Sequence, residues 1–248
     1  VTETLDEVPL RFWTSSWRSV YDYDTRGAEE MFVDEIARAM GQDPVAFRLA
    51  FLKSTRLTTL LKKVAKVGNW GRRMPPGTAQ GVSVEPRDKS AGACLVELDA
   101  SGPGTPRVTK AVIAVDARLP VNPLSIEGQM MGGLSDAISV VFSAGNRIVN
   151  GLPIEDGWHQ FGWARQGDYP PEVQVFVMPR DDVKPGGIGE IGVPTAVGAI
   201  GNAYARATGV SPRQFPIHPV PIHQPVAPGR VATSPTNPLP SRHQLYDY

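Results

Sequence analysis

The spacing of apolar residues changes once along this chain, and that change restricts the fold more than any other feature. Up to about residue 70 the apolar positions recur every three or four residues. Ala28, Met31, Phe32, Ile36, Ala39 and Met40 mark one face of a helix, with Asp24 or Thr25 to cap it and Gly41 to end it. Asp43-Pro44 restarts a helix, because an aspartate accepts from first-turn N–H groups and proline fits the first helical position. Leu57, Leu60, Leu61 and Val64 predict a third helix that stops at Gly68, with Lys62, Lys63 and Lys66 on its wet side. From Ala79 onward the period falls to two. The runs 81–85, 94–99 and 107–116 are β-branched-rich and separated by Gly, Pro and Ser turns, as in a meander of strands.

Residues 125–142 return to a helical pattern, although Gly128, Gly132 and Gly133 are poor helix formers. Glycines kept inside a helix imply that something approaches its backbone closely. Runs 146–151 and 172–178 read as strands, and 195–207 as a small-residue helix closed by Gly209. Helices and strands come in blocks, so the fold class is α+β, with helices packed on mixed or antiparallel sheets. One domain is expected over 1–210, with a possible subdomain boundary near 75. After it, 211–248 carries nine prolines between Pro212 and Pro240. This segment reads as an extended proline-rich arm, laid on a partner surface or in part disordered.

Composition excludes several classes. The 25 basic and 25 acidic side chains of the 248 residues cancel, which argues against a sequence-blind nucleic-acid binder. No apolar run approaches the ~20 residues of a membrane span. A single cysteine, Cys94, cannot form an internal disulfide or hold an iron–sulfur cluster, and inside an apolar strand it reads as inert core. His218, His223 and His243 lack nearby carboxylates or thiols, so no metal site is expected. The chain opens Val-Thr-Glu-Thr with neither an initiator methionine nor a signal-like stretch, and reads as a processed subunit or the distal part of a longer polypeptide.

The segment 184–194, Lys-Pro-Gly-Gly-Ile-Gly-Glu-Ile-Gly-Val-Pro, holds the most chemistry. Gly187, Gly189 and Gly192 satisfy G-x-G-x-x-G literally. The dinucleotide reading fails on context, because residues 180–185 separate the glycines from the preceding strand and no acid lies between Glu190 and Asp247 to hold a ribose. What the loop offers is unobstructed backbone N–H groups ahead of a helix, suited to an anion or a polar cofactor edge. Glu190 stands among them as a candidate general base, or else as a cap for the following helix.

Six segments together resemble the large subunit of the molybdenum hydroxylases, the xanthine oxidase family, and most of all its isoquinoline-oxidising and bacterial aldehyde-oxidising members. They are Trp17-Arg18-Ser19-Val20; Phe32-Val33-Asp34-Glu35-Ile36-Ala37 with Asp43-Pro44 and Phe47-Arg48; Val115-Asp116 with Val121-Asn122-Pro123; Gln129 to Gly133; Gly186 to Glu190 with Pro194, Asn202-Ala203 and Ala207-Thr208-Gly209; and Ser234-Pro235-Thr236. The resemblance runs from about residue 12 to 240 and covers the C-terminal, molybdopterin-binding part of that subunit. It departs from the family at Ala117-Arg118, where a glycine usually stands two residues after the aspartate.

The resemblance implies a subunit that hydroxylates an aldehyde or N-heteroaromatic carbon with water as the oxygen source, Glu190 serving as base. It implies a molybdenum–molybdopterin cofactor in its cytosine dinucleotide form, met by Gly187, Ile188, Gly189, Trp17, Arg18 and Ser19. It also implies a partner chain supplying the rest of the pocket, a [2Fe-2S] subunit, and a flavin or cytochrome subunit beyond it, in the periplasm or cytoplasm of a bacterium. The other reading is a non-catalytic assembly subunit of such a complex. From the residues alone, Arg18 either meets a pterin phosphate or pairs with Asp22 or Asp24. Trp17 reads as packing, Gln129 and Gly132-Gly133 as a helix contact, and Asp136 as a solvated helix face. Trp158, His159, Phe161 and Trp163 read as core or interface.

Overall fold

Three strands follow the third helix in the computed structural model, which describes residues 15–217 except 88, 156, 180, 181 and 183. Strands β1 (Thr78–Pro86), β2 (Ala91–Asp99) and β3 (Arg107–Asp116) form the antiparallel meander that the period change predicts. A later strand, β6 (Glu172–Val177), pairs with β3 in parallel, giving a mixed sheet of order β1-β2-β3-β6. Between them lie helix α4 (Pro123–Phe142) and a short ladder of β4 (Ile148–Val149) and β5 (Leu152–Pro153). The run 146–151 is therefore no single strand. Asn150 and Gly151 both take positive φ and fold it into a hairpin.

Helices cover both faces of the sheet, so β2 is buried from Ala91 through Leu98. Its alternation sorts the side chains. Ala91, Ala93 and Leu95 face helix α3 (Thr55–Val67), whose Leu57, Leu60, Leu61 and Val64 fill that side. Cys94, Val96 and Leu98 face α4 and helix α5 (Gly192–Thr208). Helix α1 (Asp22–Ala39) packs on α5, with Gly27 and Gly201 admitting Val197, Phe215 and Met31 between them. Helix α2 (Pro44–Phe51) is capped by Asp43, which accepts from the N–H groups of Val45 and Ala46. The expected class, α+β, is the observed one.

Two local expectations are corrected. Helix α1 starts at Asp22, ahead of Asp24 and Thr25, without a side-chain cap, because the carbonyl of Ser19 takes the Asp22 N–H at 2.9 Å. Of the three α4 glycines only Gly133 is closely approached by backbone, a Cβ there falling 2.6 Å from the Gly192 carbonyl carbon. Gly132 faces the end of the Arg18 side chain, and Gly128 faces open space. The first residues of the arm return to the core, where Phe215 and Ile217 pack against it and the Ile217 N–H donates to the Val141 carbonyl. His218, His223, His243 and Ser234-Pro235-Thr236 lie outside the described residues. No described helix is long and apolar enough to cross a membrane.

Candidate active site

The glycine loop enters α5, and its glycines divide by what surrounds them. A Cβ on Gly186 would lie 1.7 Å from the Lys89 carbonyl oxygen, and one on Gly192 would crowd Gln129 and Gly133 of α4 at 3.2 Å. These two let the loop seat on the protein. At Gly187 a Cβ would meet nothing within 4 Å, and at Gly189 only the Gln129 Oε1 at 4.0 Å. Those two leave bare, exposed backbone on the outer side, which is room for a flat polar group from elsewhere. Ser90 donates its hydroxyl to the Gly187 carbonyl at 2.7 Å, and the Gly186 N–H donates to Ala117 at 2.8 Å, so the loop is pinned at its base. Ile188 packs partly on the core, while Ile191, 1% exposed, anchors the far end.

Glu190 sits at that anchor with its side chain 45% exposed. It does not cap α5, whose N-terminus has no side-chain cap. Instead its Oε1 accepts from the Ser19 N–H at 3.4 Å, and its Oε2 lies 3.5 Å from Arg87 Nη1. Both contacts are at the long end of hydrogen-bond range. The carboxylate is thus oriented by two long contacts and keeps an open side.

The turn Trp17–Val20 builds the opposite wall. Ser19 and Val20 both take left-handed φ, +78° and +54°. For a β-branched residue this is an outlier of the kind that collects at functional sites. It lets Ser19 grip Glu190 twice, through its N–H on the carboxylate and its hydroxyl on the Glu190 carbonyl at 2.7 Å. Arg18 donates to the Gly189 carbonyl at 2.7 Å, to Asp136 at 2.8 Å, and to the Gln129 carbonyl and side chain at 2.9 Å each. Its partner is therefore Asp136, neither Asp22 nor Asp24, and Asp136 is a half-buried ion-pair member whose carboxyl burial pushes up against the pull of Arg18. Trp17 stands edge-on to Tyr23 and Trp163. With Phe161 and Trp158, the last 80% exposed, these rings line a groove of about 420 Å³.

At Arg118 the expected glycine is replaced without loss of the turn. Arg118 holds φ at +59°, its N–H bonded to Asp116 at 2.8 Å and its guanidinium to Asp182 at 3.0 Å. Local polar contacts here offset the backbone cost that glycine avoids.

No family model matches the chain. It is 30% identical over 197 residues to the isoquinoline 1-oxidoreductase subunit beta of Brevundimonas diminuta, covering 77% of this chain and 25% of that protein. Over 226 residues it is 28% identical to a membrane-bound aldehyde dehydrogenase [pyrroloquinoline-quinone] of Gluconacetobacter polyoxogenes, 83% of this chain and 29% of that one. Its fold superposes on the aldehyde oxidoreductase from Desulfovibrio gigas with a TM-score of 0.71 at 13% identity, over 84% of this chain and 41% of that chain. The resemblance is borne out at that level: the chain is similar in sequence to the isoquinoline 1-oxidoreductase subunit beta and shares the fold of the aldehyde oxidoreductase. It spans between a quarter and a third of the two curated relatives' lengths.

Several of the motifs that carry the resemblance are packing devices in this chain. Asp34 and Arg48 form a buried ion pair at 2.6 Å, Asn122 caps α4, and Asn202 ties the backbones of α1 and β1 by donating to Glu30 and Val82. The structure brings Gly187, Gly189, Glu190, Arg18 and Ser19 together. The sequence reading missed Arg87 and Glu85 beside them, and offered Asp22 as a partner for Arg18 where the structure pairs it with Arg87. The available signal was Glu85, an acid at the end of the run Gly81-Val82-Ser83-Val84.

Proposed function

We propose that this chain supplies the general-base half of a molybdenum-hydroxylase active site, within an enzyme that oxidises an aldehyde or an N-heteroaromatic compound using water as the oxygen source. The observation that carries the reading is the placement of a half-exposed, unsaturated Glu190 carboxylate next to the bare backbone of Gly187 and Gly189. The residues fit a molybdopterin bound mainly by another chain. The loop offers bare backbone and space, and the Glu190 carboxylate is its one side chain able to ligate a metal, as suits a metal held mainly by its own pterin. The cofactor, in its cytosine dinucleotide form, would supply the two-electron oxidation, with the backbone at 187–189 and the Trp17-Arg18-Ser19 turn along its edge.

This chain's residues then do the proton work. Ser19 and Arg87 aim the Glu190 carboxylate, which accepts the proton of the attacking water-derived oxygen and returns it to solvent through its open side. Arg18 acts one step removed, by fixing the Gly189 carbonyl. Electrons would leave through [2Fe-2S] clusters in a partner chain, since Cys94 is the sole cysteine here and lies buried in β2. A flavin or cytochrome subunit would receive them. A second chain would supply the rest of the cofactor pocket.

The test is Glu190→Gln in the assembled enzyme. Chain composition and molybdenum content should equal those of the wild type while turnover falls at least about 100-fold, the usual scale for a lost general base. Near-wild-type turnover would remove Glu190 from the reaction. An assembled complex without molybdenum would point to a scaffold role, and a tightly bound quinone in its place would align the chain with the pyrroloquinoline-quinone-named relative instead.

A further inference from the structure

The groove beside Trp17 is lined by aromatic rings that lean on one another. Trp163 stands edge-on to Trp17 at 5.5 Å and to Trp158 at 6.3 Å between centroids, and stacks on Phe161 at 5.9 Å. Trp158 leaves 80% of its surface open. Exposed aromatic area costs free energy, and a cluster of it marks an interaction surface. Part of the lining already comes from the proline-rich arm, through Phe215 and Pro216. The Pro216 ring presses on Gly145, where a Cβ would lie 2.9 Å from its Cδ. The Ile217 N–H then donates to the Val141 carbonyl at 2.8 Å, which seats these residues on the last turn of α4.

We propose that this groove is a binding site for a proline-rich segment, and that its occupant is residues 218–228 of this chain. The chain continues past Ile217 to Tyr248, and 218–228 holds Pro219, Pro221, Pro225 and Pro228. Proline-rich segments suit aromatic-lined grooves because their rings pack on aromatic faces and their restricted backbone has little entropy left to lose. The segment carries no Asp, Glu, Lys or Arg, so docking it buries no permanent charge. Its two ionisable side chains, His218 and His223, become cations on protonation. The one charged side chain lining the groove is Asp24, of the opposite sign.

Connection through Ile217 favours this occupant over a free one. At about 3.1 Å per residue in a polyproline helix, four residues past Ile217 cover roughly 12 Å. That is about twice the spacing between neighbouring rings of the groove. The tether gives the segment an effective concentration on the order of millimolar, which a separate chain has to outcompete. Nothing in this depends on Glu190 serving as a base.

Photocross-linking in the full chain, within its complex, tests the assignment. The photoreactive residue p-benzoylphenylalanine is placed at Trp158 and, in a second variant that spares the rings, at the exposed groove residue Asn146. After irradiation, tryptic cleavage at Arg213 and Arg230 releases 214–230, and fragment masses should locate the bond within 218–228. Complexes assembled from a mixture of light- and heavy-nitrogen chains should give no hybrid cross-link, because donor and acceptor belong to one chain. Replacing both Pro219→Gly and Pro221→Gly should lower the yield severalfold, since two rings and two backbone restraints are lost. Cross-links confined to another subunit, to a second copy or to 215–217 overturn the proposal. So does a lack of cross-links from both positions, or a yield that the proline replacements leave unchanged.

Discussion

Glu85 is a carboxylate on a strand covered by helices, and desolvation governs its chemistry before Arg26 or Arg87 beside it acts. Unfolded, the group titrates near 4.5; folded, near 7. Between those values the folded chain holds a proton that the unfolded chain has released. The stability tied to this group is therefore complete below about pH 4.5 and is lost as pH rises toward 7. Glu85→Gln cannot titrate, so the comparison isolates the effect. Urea-unfolding midpoints of the wild type should fall relative to Glu85→Gln as pH is raised from 4.5 to 7, and the gap should be flat on either side of that window. A gap independent of pH would mean that Glu85 is ionised throughout. Nothing in the sequence alone gives this window, because it depends on α1 and α5 closing over β1.

Elements show which parts of a fold can be read locally. Helices α2 and α3 follow their sequence signals closely, because Asp43-Pro44 and the Leu57–Val64 stripe act within one or two turns. The start of α1 was not legible, since the group that satisfies its first N–H comes from the strained turn before it. Nor was the parallel pairing of β6 with β3, which brings together residues about sixty positions apart. The glycines of α4 carry a paired prediction. A Cβ on Gly133 would lie within 2.9 Å of the backbone of Gly192 and Val193, where no flexible side chain can yield. Gly133→Ala should therefore lower the melting temperature and displace the Glu190 loop. Gly128 has nothing near it, so Gly128→Ala should stabilise the chain by up to about 1 kcal/mol through helix propensity alone. Thermal unfolding of the two variants side by side checks both signs. Equal effects would mean that the α4–α5 approach is looser than described.

Across the whole molecule a line of ion pairs runs inward from the candidate base: Glu190, Arg87, Glu85, Arg26, Glu30, Arg48, Asp34 and Arg206. It joins the glycine loop to β1, α1, α2 and α5. Motif reading placed Asp34 and Arg48 in one segment and Glu190 in another, but spacing along the chain cannot reveal that one network connects them. Burial, not the number of pairs, decides which links matter. Arg48 has a fully buried side chain, and the attraction of Glu30 and Asp34 outweighs the burial that opposes its charge. It also donates to the Glu30 carbonyl at 2.9 Å. Arg48→Met keeps the volume but leaves Glu30 and Asp34 buried with fewer partners, and should destabilise the fold by about 3–5 kcal/mol. Arg213, 71% exposed and paired with Glu35 at 2.9 Å, is the matching surface case. Arg213→Met should change stability by no more than about 1 kcal/mol, because water screens and replaces an exposed pair. Chemical unfolding of both variants measures the contrast. If the two losses came out alike, the network would be a surface feature, and a link between core packing and the aim of Glu190 would have no basis.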